Sequence, residues 1–198
     1  MADVLTRHIR AASGAFFTGI ALVDKEARQL RYLSMSPLPQ TTTQAWQVIP
    51  LDADAPVAEA VRTGQAYFLE SVEQAEARFP GIAQHMAEAG TRAMAHLPLM
   101  ASNGRAMGTL AVSFAETRRI SPNEREFLTT LAGYAAQAME RALLYEQQRT
   151  VAEALQGAVL PTALPVLAGW QVDGRFQSAA QGMEVGGDWY DAFTLPDG

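Results

Sequence analysis

The sequence predicts an α+β fold: an antiparallel sheet flanked by helices, a long C-terminal linker helix, and then an incomplete further segment. Three observations carry this prediction. Strand-like and helix-like stretches come in the order helix, strands, helices, strands, helix rather than in strict alternation. Between Ala93 and Phe114, two apolar stretches flank Ser102-Asn103-Gly104-Arg105, the mark of a hairpin. Ser121-Pro122-Asn123-Glu124 then opens a long apolar-striped stretch with a serine cap, a proline at the first helical position and a glutamate at the third.

Taken in order, Val4, Leu5, His8, Ile9 and Ala12 fall at helical spacing over residues 2–13, an amphipathic first helix that ends at Gly14. Ala15 to Val23 is rich in strand formers, and Asp24-Lys25-Glu26 turns the chain into a second strand from Leu30 to Met35. Residues 36–45 are rich in proline and threonine without a period, and so read as a loop before a short strand from Gln47 to Leu51. Asp54 is placed to cap a helix that has Pro56 in its first turn and stops at Gly64. Ala66 to Leu69 returns as a strand. Ser71 opens a helical stretch that is interrupted at Pro80-Gly81 and resumes through Ile82 and Met86 to Gly90.

Beyond Ser121, Leu128, Leu131, Ala135, Ala138, Ala142 and Tyr145 alternate steps of three and four. Up to about residue 138 this stripe is expected to cover the domain's own sheet. Past Glu140 it outruns a single-domain surface and leaves Leu143, Leu144, Val151 and Leu155 without cover. A parallel homodimer joined along Ala142, Leu144, Tyr145, Val151 and Leu155 is therefore expected, and the polar run Arg141, Glu146, Gln147, Gln148 and Arg149 reads as its solvated flank. The expected divisions are 1–139, a helical linker at 140–160, and 161–198.

With 48% hydrophobic and 18% charged residues, the 198-residue chain can build one good core plus an appendage. It has no cysteine, which removes disulfides, thiol nucleophiles and thiolate metal sites and fits a reducing cytosol. A formal net charge of -6 without a basic cluster argues against binding a nucleic-acid backbone, and Lys25 is the only lysine. Neither a secretion signal nor an apolar run of membrane-spanning length is present in the sequence, so a cytoplasmic protein with no membrane or nucleic-acid partner is expected.

His8, His85 and His96 fall on different elements without ligand-like spacing, so structural or surface roles are favoured over metal or haem ligation. Trp46, Tyr67, Phe68, His96 and Met107 are candidates to line a pocket between sheet and helices; more often such residues are simply core.

The order of elements resembles a GAF domain. The resemblance covers residues 2–148 and is best marked from His96-Leu97-Pro98-Leu99 through Gly108-Thr109-Leu110, then Phe127-Leu128 and Glu140-Arg141-Ala142-Leu143. It implies a sensory or regulatory fold whose sheet and covering helices often enclose a small-molecule effector. The cysteine to which photoreceptor members attach a bilin is missing, and the pattern of the cyclic-nucleotide-binding members is not found, so the ligand stays unknown.

Near the end of the chain, Val185-Gly186-Gly187-Asp188-Trp189-Tyr190-Asp191-Ala192-Phe193 sets two carboxylates beside a Gly-Gly pair. Such hard oxygen donors suit Mg2+ or Mn2+; an ordinary turn into an edge strand is the competing reading. Upstream lie Leu155-Gln156, Val159-Leu160-Pro161, Leu164-Pro165, Gly169-Trp170 and Gly174 to Ala179. From about residue 152 onward this is similar to the opening of the SpoIIE-like phosphatases, metal-dependent serine/threonine phosphatases of the PPM type.

That resemblance implies that Asp188, and with less weight Asp191, helps to hold a two-metal Mn2+ or Mg2+ centre that activates water against a phosphoserine or phosphothreonine. It implies as substrate a phosphorylated regulatory protein such as an anti-sigma-factor antagonist. The family's later metal-binding aspartates fall beyond residue 198, so this chain by itself is expected to be inactive. A rival expectation is that the GAF domain binds no ligand and serves only for dimerisation.

Overall fold

The computed structural model describes residues 1–37 and 47–159. The chain divides into two compact units, Met1–Glu140 and Arg141–Gly198. The first holds helix α1 (Ala2–Ser13), strands β1 (Phe17–Asp24), β2 (Gln29–Ser36) and β3 (Val48–Pro50), helix α2 (Pro56–Thr63), strand β4 (Tyr67–Leu69), helices α3 (Val72–Arg78) and α4 (Ile82–Glu88), and strands β5 (Ala93–Met100) and β6 (Ala106–Phe114). Helix α5 (Pro122–Val159) begins in the first unit and continues into the second.

The strands form one six-stranded sheet in the order β3-β2-β1-β6-β5-β4. Every neighbouring pair is antiparallel. The α+β class, with helices about a curled antiparallel sheet, is thus the one expected. Because side chains alternate across a strand, each central strand contributes to both faces. On one face Ile20, Ala95, Leu97, Leu110 and Val112 meet Ile9 of α1 and Leu128, Ala132, Ala135 and Ala136 of α5 in the largest core cluster. The other face carries α2, α3 and α4 and two smaller clusters, around Phe79 and around Leu30.

The signals at element ends act largely as read. The amide of Ser121 donates to Glu124 Oε2 at 3.0 Å and the amide of Glu124 to Ser121 Oγ at 3.3 Å, a complete capping box. Ser71 caps α3 by accepting from the amide of Gln74 at 3.2 Å. Gly14 and Gly64 end their helices in the left-handed region.

Some expectations are corrected. Ala55, not Asp54, is the N-cap of α2, and no side chain caps that end. In the β5–β6 turn only Gly104 takes a positive φ, 77°, while its amide donates to the carbonyl of Ala101 at 2.9 Å. Asn103 keeps an ordinary backbone, so the turn is not the two-residue kind with both central angles positive. On α5 the buried positions are Leu128, Ala132, Ala135, Ala136 and Met139, with Leu131 only partly buried. The buried stripe thus departs from the heptad reading in its middle turns, as a helix of 3.6 residues per turn does when it packs on a curved sheet.

One irregularity is invisible in the sequence. The pairing of β1 with β2 shifts between Ile20 and Ala21, so that Ile20 faces Ser34, Ala21 faces Tyr32, and Leu33 has no opposite residue. This β-bulge reverses the alternation of β2 beyond Leu33. Ser34 consequently meets Thr6 on the α1 face, with 2.9 Å between their hydroxyl oxygens, and Tyr32 and Met35 both turn to the other face.

Candidate functional site

The sheet register explains where open space remains. Met35, Gly19, Ala111, His96 and Tyr67 are successive cross-strand partners on β2, β1, β6, β5 and β4. The middle of this row is glycine and alanine, and the rings of Phe17 and Tyr32 close over Gly19. Gly19 cannot be larger without disturbing a neighbour, since a Cβ on it would lie 2.8 Å from the Tyr32 ring.

On this side of the sheet lies a cavity of about 490 Å³. Phe17, Tyr32, Met35, His96, Ala111 and Ser113 bound it on the sheet side. The chain from Ala53 to Val57 at the start of α2, and Ile82, His85, Met86 and Ala89 of α4, bound it on the helix side. The size falls within the range of small-molecule pockets, roughly 300–1,000 Å³.

His96 is the polar feature of this wall. It is only 7% exposed, and its Nδ1 is buried with no hydrogen-bond partner. Burial disfavours the imidazolium and lowers its pKa from 6.5 to about 4. The ring is therefore neutral at pH 7, with one nitrogen as donor and the other as acceptor. Burial likewise pushes the Tyr32 phenol above its ordinary range, so it stays a neutral hydroxyl.

Away from the cavity, α2 is joined to α3. Glu59 of α2 pairs with Arg78 of α3, and the Tyr67 hydroxyl donates to the same carboxylate oxygen at 2.9 Å. On the opposite face, the Glu70 carboxylate accepts from the amide of Ile120 at 2.9 Å and from Arg125 at 2.9 Å, and these bonds hold its pKa below the ordinary value. At the far end of the domain Glu140 accepts from the amide and hydroxyl of Ser102, tying the β5–β6 turn to α5.

Of the residues read from sequence as pocket candidates, His96 lines the cavity. Tyr67 lies one strand further along the same row but packs edge-to-face on Phe79, with ring centroids 5.9 Å apart. Phe68 alternates to the α5 face, where the Arg125 guanidinium sits 4.9 Å over its ring. Met107 packs against the same large core. Trp46 lies outside the described residues, as do Asp188 and Asp191.

The residues that sequence reasoning passed over are Phe17, Tyr32, Met35 and Met86. Gly19 inside a strand was the available signal for a close approach at this spot. His8 and His85 are exposed, and the described residues hold no cluster of metal-ligating side chains. Along α5, Leu144, Tyr145, Val151 and Leu155 are 53%, 59%, 53% and 65% exposed, and Ala142 is half-buried. Among the described residues no helix is long and apolar enough to cross a membrane.

An antiparallel sheet with helices on both faces and a cavity under the shorter helices defines an α+β domain of one recognisable type. The sequence model of the GAF domain family matches residues 1–140, and the chain belongs to that family. Among solved structures it is similar to the GAF domain of an Acinetobacter phosphoenolpyruvate-protein phosphotransferase, at 18% identity and a TM-score of 0.60 over 74% of this chain and 84% of that one. It is similar to the GAF domain/HD domain protein of Geobacter sulfurreducens, at 15% identity and a TM-score of 0.58 over 71% and 90%. It is also similar to the free methionine-R-sulfoxide reductase of Neisseria meningitidis, determined with its substrate, at 19% identity and a TM-score of 0.56 over 74% and 78%. At these identities the likeness concerns the fold. No curated protein matches the chain.

Proposed function

We propose that this chain is the sensory half of a cytosolic SpoIIE-like protein phosphatase, in which occupation of the GAF cavity biases a metal-dependent catalytic segment. The observation that carries the sensory part is the cavity between the sheet and the shorter helices, with Ala111 and the buried His96, whose Nδ1 has no hydrogen-bond partner, in its wall. A domain serving only for dimerisation has no need of such a space, and filling it with larger side chains would gain stability. The cavity therefore supports sensing over the ligand-free reading.

The catalytic part rests on the motifs between residues 152 and 193. In this reading residues 161–198 begin the phosphatase domain, Asp188 and Asp191 contribute to an Mn2+ or Mg2+ centre, and the substrate is a phosphoserine or phosphothreonine on a regulatory protein. Residues 140–160 connect the two parts as a helix. Leu144, Val151 and Leu155 give that helix an apolar surface that suits a second copy of the chain.

The decisive experiment measures Mn2+-dependent hydrolysis of a phosphoserine peptide by a chain long enough to carry the family's remaining metal aspartates. Asp188→Ala is expected to remove that activity while sedimentation still reports a dimer; full activity in the variant overturns the metal assignment. Leu144→Glu together with Val151→Glu places like charges on the helix surface and is expected to give monomers. A variant that stays dimeric locates the interface elsewhere.

A further inference from the structure

We propose that the cavity binds an uncharged, mainly aromatic molecule through one hydrogen bond to the His96 imidazole, and that it rejects phosphate-bearing ligands. The inference rests on the sensory reading above and adds the chemical class of the effector.

The case against an anion is made by every group that faces the space. No lysine or arginine lines the cavity; its one histidine besides His96 is His85, whose Nδ1 lies 3.2 Å from the carbonyl oxygen of Gly81, and two carboxylates, Asp54 and Glu88, belong to its wall and are exposed. Helix N-termini are the other usual anion holders, because their first amides are free. Two helices begin at this cavity, and neither offers that cradle. In α2 the first helical residue is Pro56, which has no N–H, and the amides of Ala58 and Glu59 already donate to the carbonyl of Ala55 at 3.1 and 2.9 Å. In α4 the Glu76 carboxylate takes the amides of Gly81 and Ala83, each at 2.8 Å. A phosphate would therefore enter a negatively biased site without a lysine, an arginine or a free row of amides to receive it.

The case for an aromatic ligand is made by the same walls. Met35, Met86 and Met94 present polarisable thioethers, which favour contact with ring systems, and Phe17 and Tyr32 offer ring faces and edges. His96 stays neutral at pH 7 and has an unpartnered Nδ1, so a single hydroxyl or ring nitrogen on the ligand can complete it. Because a buried polar atom left unmade is costly, that one bond also gives orientation.

A matched pair of probes tests this on the full chain: 1-naphthol, which is neutral at pH 7, and 1-naphthyl phosphate, which differs by the charged group. Titration followed by the imidazole nitrogen resonances of His96 and by calorimetry is expected to show saturable naphthol binding with a shift at His96. The phosphate should bind at least about tenfold more weakly, and His96→Leu should weaken naphthol by about tenfold. Tighter binding of the phosphate overturns the ligand class and leaves the sensory cavity standing. Binding of neither probe overturns both. Naphthol binding without any shift at His96 in the unaltered protein removes the histidine from the site, whatever the variant's folding.

Discussion

The two faces of the same sheet are built from alternate residues of the same strands and meet opposite fates. On β5, Ala93, Ala95, Leu97 and Leu99 point into a close-packed core under α1 and α5, while Met94 and His96 face the shorter helices and the cavity. On β6, Leu110 and Val112 fill the first face, and Ala111 and Ser113 border the second. The pleat thus separates stability from recognition within a few residues. The core face is aliphatic and alanine-rich, whereas the cavity face carries methionine, aromatic and hydroxyl groups beside Ala111 and His96.

The largest expected effect breaks the core face. Leu110 is fully buried, so Leu110→Ala should cost about 2–5 kcal/mol through lost transfer energy and the void it leaves. Met35 is only partly buried and already has open space on one side, so Met35→Ala should cost below about 1 kcal/mol. Urea unfolding of both variants checks the contrast, and equal losses would mean that the cavity face is as tightly filled as the other.

The second effect belongs to the cavity face alone and is read by acid. In the unfolded chain the His96 imidazole takes up a proton near pH 6.5, whereas the folded protein resists it until about pH 4. Between these values the unfolded state binds more protons, so stability falls as pH is lowered, by on the order of 3 kcal/mol in all. Above pH 6.5 this contribution is constant. His96→Leu should remove that part of the acid sensitivity and, at pH 7, stabilise the protein by about 1 kcal/mol, because a buried unpaired polar atom disappears. Carboxylates such as Glu70 and Glu124 have pKa values held below the usual 4.5, so their contributions fade at still lower pH in both proteins. The difference between the two stability profiles therefore isolates the histidine. A variant that loses stability in step with the parent would show that the ring is solvated.

Much of the core face was legible in the sequence because local chemistry determines it. Ser121 and Glu124 specify the start of α5, the apolar alternation of residues 93–114 specifies the central hairpin, and glycine ends α1 and α2. The cavity face was less legible. Its shape depends on the unpaired Leu33 in β2, which turns both Tyr32 and Met35 toward His96, and a bulge is chosen by the fit between strands rather than by the residues in it. Tyr67 and His96 were both read as pocket residues and do lie on one face. The packing of Tyr67 on Phe79 and its hydrogen bond to Glu59 hold it apart from the cavity.

The smallest effect sharpens the comparison by acting on one face only. Ser121 caps α5 through reciprocal bonds with Glu124, and Arg118 pairs with that same glutamate. Ser121→Ala removes the cap and should cost about 1 kcal/mol, lowering the melting temperature by roughly 2–4 °C for a protein of this length. Helix α5 does not line the cavity, so naphthol affinity should stay within about twofold of the parent when measured well below the melting temperature. Unchanged affinity would show that the faces act independently through the sheet. A clear loss would instead mean that the start of α5 and the cavity shift together, and the path is then through the Glu70 bonds to Ile120 and Arg125, since these tie the end of β4 to the beginning of the helix.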